Sequence, residues 1–192
     1  MVSNLAEILT PAQSGRVKLD CFEIGDRNFA AAIQGIPSGK YVRLVIDGET
    51  AMSNTPMEIR TNWPAVHSAF GDVLIGGLGI GMILLEMQNN PKISSITVIE
   101  KSPDVIKCVG SQLPLNDKVK IVEADIFTFK PRERYDFIWL DIWNCVNSDV
   151  WEDEMKPLKR KYARYLKPKK ENSNRCVLCW AEWQAKNNRR LY

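Results

Sequence analysis

Apolar residues fall into short runs along this chain, and the runs follow two regimes. Residues 17–24 (VKLDCFEI) and 41–47 (YVRLVID) combine β-branched and aromatic residues with partial alternation, the pattern of half-buried strands. Residues 28–34 between them fit neither a helix nor a strand cleanly, and Gly35, Pro37 and Gly39 interrupt regular structure. Asp47-Gly48 is a tight-turn signal. These features predict a small antiparallel sheet across residues 16–60. Its boundary with the rest is expected near Asn62 to Pro64, giving a β-rich region at 1–63 and a main domain at 64–192.

The second regime begins at Asp72. VLIG is a short apolar strand, followed by GLGIG and the helix candidate MILLEMQNN, which stops before Pro91. ITVIE at 96–100 is the next strand, and a helical segment carries Val105, Ile106 and Val109. KIVEAD at 120–125 and YDFIWLD at 135–141 supply two more strands. Strands alternating with helices at this spacing predict an α/β fold: a Rossmann-like, mostly parallel sheet with helices on both faces and right-handed crossovers. Residues 151–166 read as a helix whose acids precede its bases, the order that suits the helix dipole. Pro157 marks either a later start or a kink. A polar loop at 167–174 and a final strand over CVLCWAEW complete a main domain that is short at its C-terminal end.

Composition narrows the classes. The 192 residues are 45% hydrophobic and 26% charged, as expected for a globular chain with a real core. No run approaches the roughly 18 apolar residues of a membrane-spanning helix, and MVSNLAEILT lacks a basic leader and an apolar signal core. A cytoplasmic protein without membrane contact is therefore expected. Cys176 and Cys179 form a C-x-x-C pair, but on a strand residues three apart point to opposite faces, so core cysteines are expected rather than a metal or redox site. The net charge of +3 hides an asymmetry: residues 1–150 carry −4 and residues 151–192 carry +7. A basic C-terminal region suits nucleic acid or an acidic protein surface, and equally a solvated face.

The chemistry concentrates after the strands of the main domain. Gly76-Gly77-Leu78-Gly79-Ile80-Gly81 follows an apolar strand and precedes a helix, where glycines permit a tight turn and close approach of a ligand to the backbone. Glu100 ends the next strand, where a carboxylate can accept both ribose hydroxyls of a nucleoside cofactor. Asp125 ends the third, placed to accept an adenine amino group with Ile126 beside the ring; the plainer reading has Asp125 capping a turn. Asp141 ends the fourth, where its charge complements a sulfonium or ammonium centre, and Asn144 and Trp143 follow as pocket walls. Glu58 is a candidate for the entrance beneath the glycine turn. His67, the sole histidine, is expected to pack or cap locally.

Segments 72–81, 96–100, 120–125 and 135–141 together resemble the successive cofactor motifs of the class I S-adenosylmethionine-dependent methyltransferase superfamily. LVIDGETAMSNTPMEI and ITVIEKSPDVI resemble its spermidine-synthase-like branch, in which a small N-terminal β-sheet precedes the Rossmann-like domain. The resemblance implies S-adenosylmethionine as cofactor. Gly76, Gly77, Gly79 and Gly81 would form its loop, Glu100 would hold ribose, Asp125 and Ile126 would meet adenine, and Asp141 would match the first carboxylate of the catalytic motif. Asp141 and Asn144 are the catalytic candidates, with Asp141 also a cofactor contact. Aminopropyltransferases commonly carry a second aspartate where this chain has Asn144, and their tyrosine-histidine-glutamate cluster is replaced by MEIRTN. The function expected is a methyltransferase acting on a small-molecule acceptor of unknown class. Alternatives are an aminopropyltransferase-like enzyme using decarboxylated cofactor and a non-catalytic adenosyl-binding or interaction module. An exposed sheet edge would allow a homodimer.

Overall fold

A computed structural model describes residues 4–189. Residues 1–3, from the start read for a leader, and 190–192, from the basic C-terminal region, lie outside the described residues. After a short helix α1 (Leu5–Ile8), strands β1 (Ala12–Ser14), β2 (Val17–Ile24), β3 (Gly39–Ile46) and β4 (Glu49–Ser53) form an antiparallel sheet in sequential order. The long β2–β3 ladder runs from Val17 opposite Ile46 to Ile24 opposite Gly39. The ambiguous segment between them is a short helix α2 (Phe29–Ile33), started by the Asn28 side chain, which accepts the Ala31 N–H.

The sheet stops earlier than expected. Pro56 opens helix α3 (Pro56–Ser68), because proline fits the first helical turn and Thr55 before it is extended. Residues 62–64, where the sequence places the regional boundary, lie within this helix.

The second sheet is five-stranded and wholly parallel, in the order β7-β6-β5-β8-β9. Its strands are β5 (Gly71–Gly76), β6 (Ile93–Glu100), β7 (Val119–Glu123), β8 (Phe137–Leu140) and β9 (Cys176–Cys179). Helices α4 (Met82–Met87) and α5 (Pro103–Cys108) link the first three strands, which proceed outward to one edge. The chain then returns to the other side of β5. Strand direction of travel therefore reverses between β5 and β8, and open α/β sheets bind ligands at the carboxyl ends of the strands flanking such a reversal.

Alternate residues of each strand divide between two cores, as the two-residue period of a strand requires. Val73, Ile75, Phe137 and Trp139 pack with α3, α4, α5 and the inner face of the N-terminal sheet. Leu74, Ile138 and Leu140 pack on the other face against Met155, Leu158 and Tyr162. Both faces are thus covered. Cys176 and Cys179 divide the same way, one packing on each core, and all five cysteines are free. Among the described residues no group of His, Cys, Asp and Glu has the arrangement of a metal site.

Two C-terminal expectations are corrected. The helix expected over 151–166 is composite: α6 (Ser148–Val150), a π-helical turn at Trp151–Met155 and α7 (Lys156–Ala163). Pro157 has no N–H to give Asp153, and the π turn just before it, closed by the Lys156 N–H on the Trp151 carbonyl, absorbs that missing bond. The last strand ends at Cys179 instead of running to Trp183. Ala181 turns left-handed at φ 50°, and a helix α8 (Glu182–Lys186) follows. Glu182 fixes the turn by pairing with Lys159 and Lys186.

Candidate functional site

A cavity of about 280 Å³ opens at the carboxyl ends of β5, β6 and β8. Its size is near the lower end of small-molecule pockets, which run from about 300 Å³ upward. Three elements supply its polar floor because parallel strands end there together: Gly77 and Gly79 after β5, Glu100 at the end of β6, and Asp141 after β8. The Asp141 N–H donates to the Gly76 carbonyl at 2.8 Å, and the Gly77 N–H donates to the Ile99 carbonyl at 2.8 Å, so all three ends are tied at one level.

The glycine turn is shaped by its neighbours as well as open to a ligand. Gly77 has φ 97°, and a Cβ there would overlap the Asp141 carbonyl oxygen. Only glycine satisfies both demands. Gly79, at φ 54°, lies directly beneath Met52 of β4. Gly76 closes β5, and Gly81 is the left-handed residue from which α4 starts; neither lines the cavity.

Glu100 faces into this turn. One carboxylate oxygen accepts the Leu78 N–H at 2.8 Å and the other accepts the Ser102 N–H at 2.8 Å. Each carboxylate oxygen has a second acceptor direction, so the group can hold the turn and still bind hydroxyls. Asp125 accepts the Phe127 N–H at 2.9 Å, and its other oxygen pairs with Lys101 at 3.0 Å. These two contacts hold its carboxyl below the usual range, with the Lys101 hydrogen bond the larger cause. Ile126 is buried beneath, touching the position a Gly76 Cβ would take, while Phe127 is 44% exposed at the rim.

Asp141 meets a partner that sequence spacing does not pair with it. Glu58, from the first turn of α3, lines the same cavity. Burial raises the Glu58 pKa to about 7, opposed by the Ser53 backbone. Asp141 is likewise raised to about 7, chiefly by burial and then by the charge of Glu58. The Trp139 indole opposes this rise, but its buried N–H lies in no hydrogen bond, so it is a weak counterweight. Two carboxyls that resist ionising together in one cleft form an acid–base pair near neutrality, and they attract any cation that enters.

The remaining walls are apolar. Leu44, Ile46 and Met52 of the N-terminal sheet form one side, and Ile142, Trp143 and Trp180 another. The Trp180 N–H donates to Thr61 Oγ1 at 3.0 Å, and the Thr61 hydroxyl in turn donates to the Glu58 carbonyl at 3.1 Å. The Trp143 N–H donates to Glu154 at 2.8 Å. Asn144 lies at the exposed lip of the cavity. His67 lies elsewhere, its ring tilted at 52° to Trp63 with centroids 4.2 Å apart and its Nδ1 3.1 Å from the Trp63 carbonyl, a local packing role. Sequence reading missed the N-terminal sheet and Trp180 as walls. The run ETAMS carries little apolar signal, and Trp180 sits within what reads as core strand.

In fold the chain is similar to the spermidine synthase of Thermotoga maritima, at 18% identity and a TM-score of 0.52, over 83% of this chain and 52% of that one. It thus spans about half the length of that enzyme. It is also similar to the N-methyltransferase NodS of Bradyrhizobium japonicum, at 14% identity and a TM-score of 0.49, over 70% of this chain and 83% of that one. The likeness to the synthase shows a shared fold; the likeness to NodS adds no argument. No protein-family model matches the chain, and no curated protein matches it in sequence. The fold is α/β and Rossmann-like, with a small antiparallel sheet before the larger parallel one.

Proposed function

We propose that this protein is an S-adenosylmethionine-dependent methyltransferase whose cofactor sits across the ends of β5, β6 and β8. The observation that carries the reading is the paired carboxyls of Glu58 and Asp141 beside a glycine turn and a strand-end acid. In that reading Glu100 holds ribose hydroxyls while keeping the turn in place, and Ile126 and Asp125 border the base. The adenine amino group would share Asp125 with Lys101 and the Phe127 N–H. When bound, S-adenosylmethionine supplies a methyl group activated by a positive sulfonium. Glu58 and Asp141 complement positive charge at that end, and whichever of them is ionised is placed to take a proton from an acceptor. The apolar walls, with Trp143 and Trp180, exclude water from the same space.

The acid pair also favours a second reading. Aminopropyl transfer requires an acidic acceptor pocket, and Asn144 supplies no charge to it; Glu58 does, from the opposite wall. Calorimetry with S-adenosylmethionine, S-adenosylhomocysteine and NAD tests the cofactor first: the expected result is binding of the adenosyl compounds in preference to NAD. Turnover assays with methyl and aminopropyl donors then separate the readings. Transfer only from decarboxylated cofactor to an amine would replace the first by the second, and adenosyl binding without turnover would leave a binding module.

A further inference from the structure

The basic character of the C-terminal region is not spread evenly over its surface. The second half of α7 lies along the segment 126–134, and side chains staple the two together. Lys161 Nζ donates to the Ile126 carbonyl at 3.0 Å and to the Phe127 carbonyl at 2.8 Å. The Tyr162 hydroxyl donates to the Ile126 carbonyl at 2.9 Å, and Arg134 donates to the Arg164 and Leu166 carbonyls at 3.0 and 3.1 Å. Lys161 and Arg134 are therefore fixed by neutral oxygens, which position a cation without cancelling its charge. Lys130, Arg132 and Arg164, carried by the same two segments, are exposed and pair with no carboxylate among the described residues.

Several other cations of this region are matched, while Arg160, Lys169, Lys170, Arg175 and Arg189 are in no ion pair among the described residues. Lys156 pairs with Glu152, Lys159 with Glu182, and Lys167 with Asp72 and Asp136. Nearby, Asp125 is occupied by Lys101, and Glu133 is the one acid within 126–134. Within the stapled part of α7 and residues 126–134, the uncompensated cations are Lys130, Arg132, Arg134, Lys161 and Arg164. Lys161 has a lowered pKa, chiefly from burial and partly from repulsion by Lys130, which places two like charges near one another; Asp125 works the other way. Residues 126–134 also carry Phe127 at the cavity rim, an aromatic ring with 44% of its surface exposed. Unmatched cations on two stapled segments, with an open ring beside them, are what a phosphate backbone and a stacking base require.

We propose that the face built by α7 and residues 126–134 docks single-stranded nucleic acid. The phosphates lie along Lys130, Arg132, Lys161 and Arg164, and a base stacks on Phe127. Nucleic acid fits better than an acidic protein because a stacking ring stands beside the charges, and alternating charge and ring is what a polynucleotide presents. The inference does not depend on the chemistry assigned to the cavity.

The test is fluorescence anisotropy of the full chain with labelled RNA and DNA strands of about 20 nucleotides, long enough to cover such a face. Binding is expected, weakening with salt by a log–log slope of about −0.7 for each phosphate contacted. The double variant K130E/R164E should lose at least about tenfold in affinity, since reversal also repels the strand. S-adenosylmethionine binding, read by calorimetry, should be unchanged in it. Lys40→Glu, on the N-terminal sheet, should leave strand binding as it is. Should the double variant melt early, Arg132→Glu alone carries the same expectation. RNA and DNA arms distinguish which strand is preferred. Binding of neither, an equal loss from Lys40→Glu, or polyglutamate binding as tightly as the strands would overturn the proposal, whatever the cofactor result.

Discussion

Glu58 and Asp141 meet across one cavity although one belongs to the helix before the parallel sheet and the other to the loop after β8. The ionised form of Glu58 raises the Asp141 pKa, on top of the rise from burial. Replacing Glu58 by glutamine keeps the shape and removes the charge. The Asp141 carboxyl should then titrate below the present value of about 7, which carbon NMR of the labelled carboxyl can follow. An unshifted Asp141 would show that burial alone sets its behaviour.

The same pair makes stability depend on pH in a stated direction. Asp141 titrates near 3.8 when unfolded and near 7 when folded, and Glu58 near 4.5 and 7. Between those limits the folded state keeps protons that the unfolded state has released, so this contribution to stability falls as pH rises from about 4 to 7. Asp141→Asn should therefore stabilise the protein at pH 8, by about 1–3 kcal/mol, and leave it nearly unchanged at pH 4. Denaturant titrations at the two pH values measure both. Equal effects at both would mean the carboxylate carries no such strain.

Glu100 has two tasks, and one substitution exposes both. Glu100→Ala removes the acceptor for the Leu78 and Ser102 N–H groups and the proposed ribose acceptor together. S-adenosylmethionine binding should weaken by about 1–3 kcal/mol. Glu100→Gln keeps one carbonyl acceptor and should recover part of it. Calorimetry showing the wild-type affinity in Glu100→Ala would remove the ribose role.

The parallel sheet was legible because its strands are continuous apolar runs ended by glycine or acid, and that pattern survives without knowledge of neighbours. The position of Glu100 and Asp141 at one level followed from it, since parallel strands bring their carboxyl ends to one side. What was not legible depends on contacts distant in sequence. Glu58 is legible as a candidate for the entrance, but its charge acting on Asp141 in one cavity shows only once α3 is folded. Trp180 reads as core until Ala181 turns left-handed and ends the strand. The extra π turn is a local compromise with Pro157 that no periodicity announces.

Beneath the sheet, at the end opposite the cavity, Lys167 joins Asp72 and Asp136, each at 2.7 Å. Asp136 is nearly buried and also accepts the Asp72 N–H and the Asn172 amide. Burial works against ionisation of both acids, and the hydrogen bonds from Lys167, Ser95, the Asp72 N–H and Asn172, with the Lys167 charge, together outweigh it, leaving both below the usual range. Lys167→Met should cost about 2–4 kcal/mol at neutral pH, because two partly buried carboxylates lose their cation. Lowered acid pKa values stabilise the fold above the unfolded pKa and lose that effect as pH falls. The cost of Lys167→Met should therefore shrink toward pH 3, and a cost independent of pH would locate it in packing of the lysine stem instead.

Gly77 links the stability of the fold to the geometry of the cavity. Its φ of 97° is unfavourable for any residue with a Cβ, and the added atom would meet the carbonyl oxygen of Asp141. That carbonyl belongs to the residue whose N–H is bonded to Gly76, so β5 and the loop after β8 cannot separate without breaking the bond at the top of the sheet. Gly77→Ala should lower stability by about 2–4 kcal/mol, combining backbone strain with displacement of a packed main chain. Gly35→Ala also meets positive φ, at 67°, but has open space around it, and should cost only about 1 kcal/mol from the backbone. Thermal unfolding of the two variants separates strain from collision. Equal losses would mean that the loop after β8 yields freely, and Asp141 would then lack the fixed position from which its pairing with Glu58 is argued.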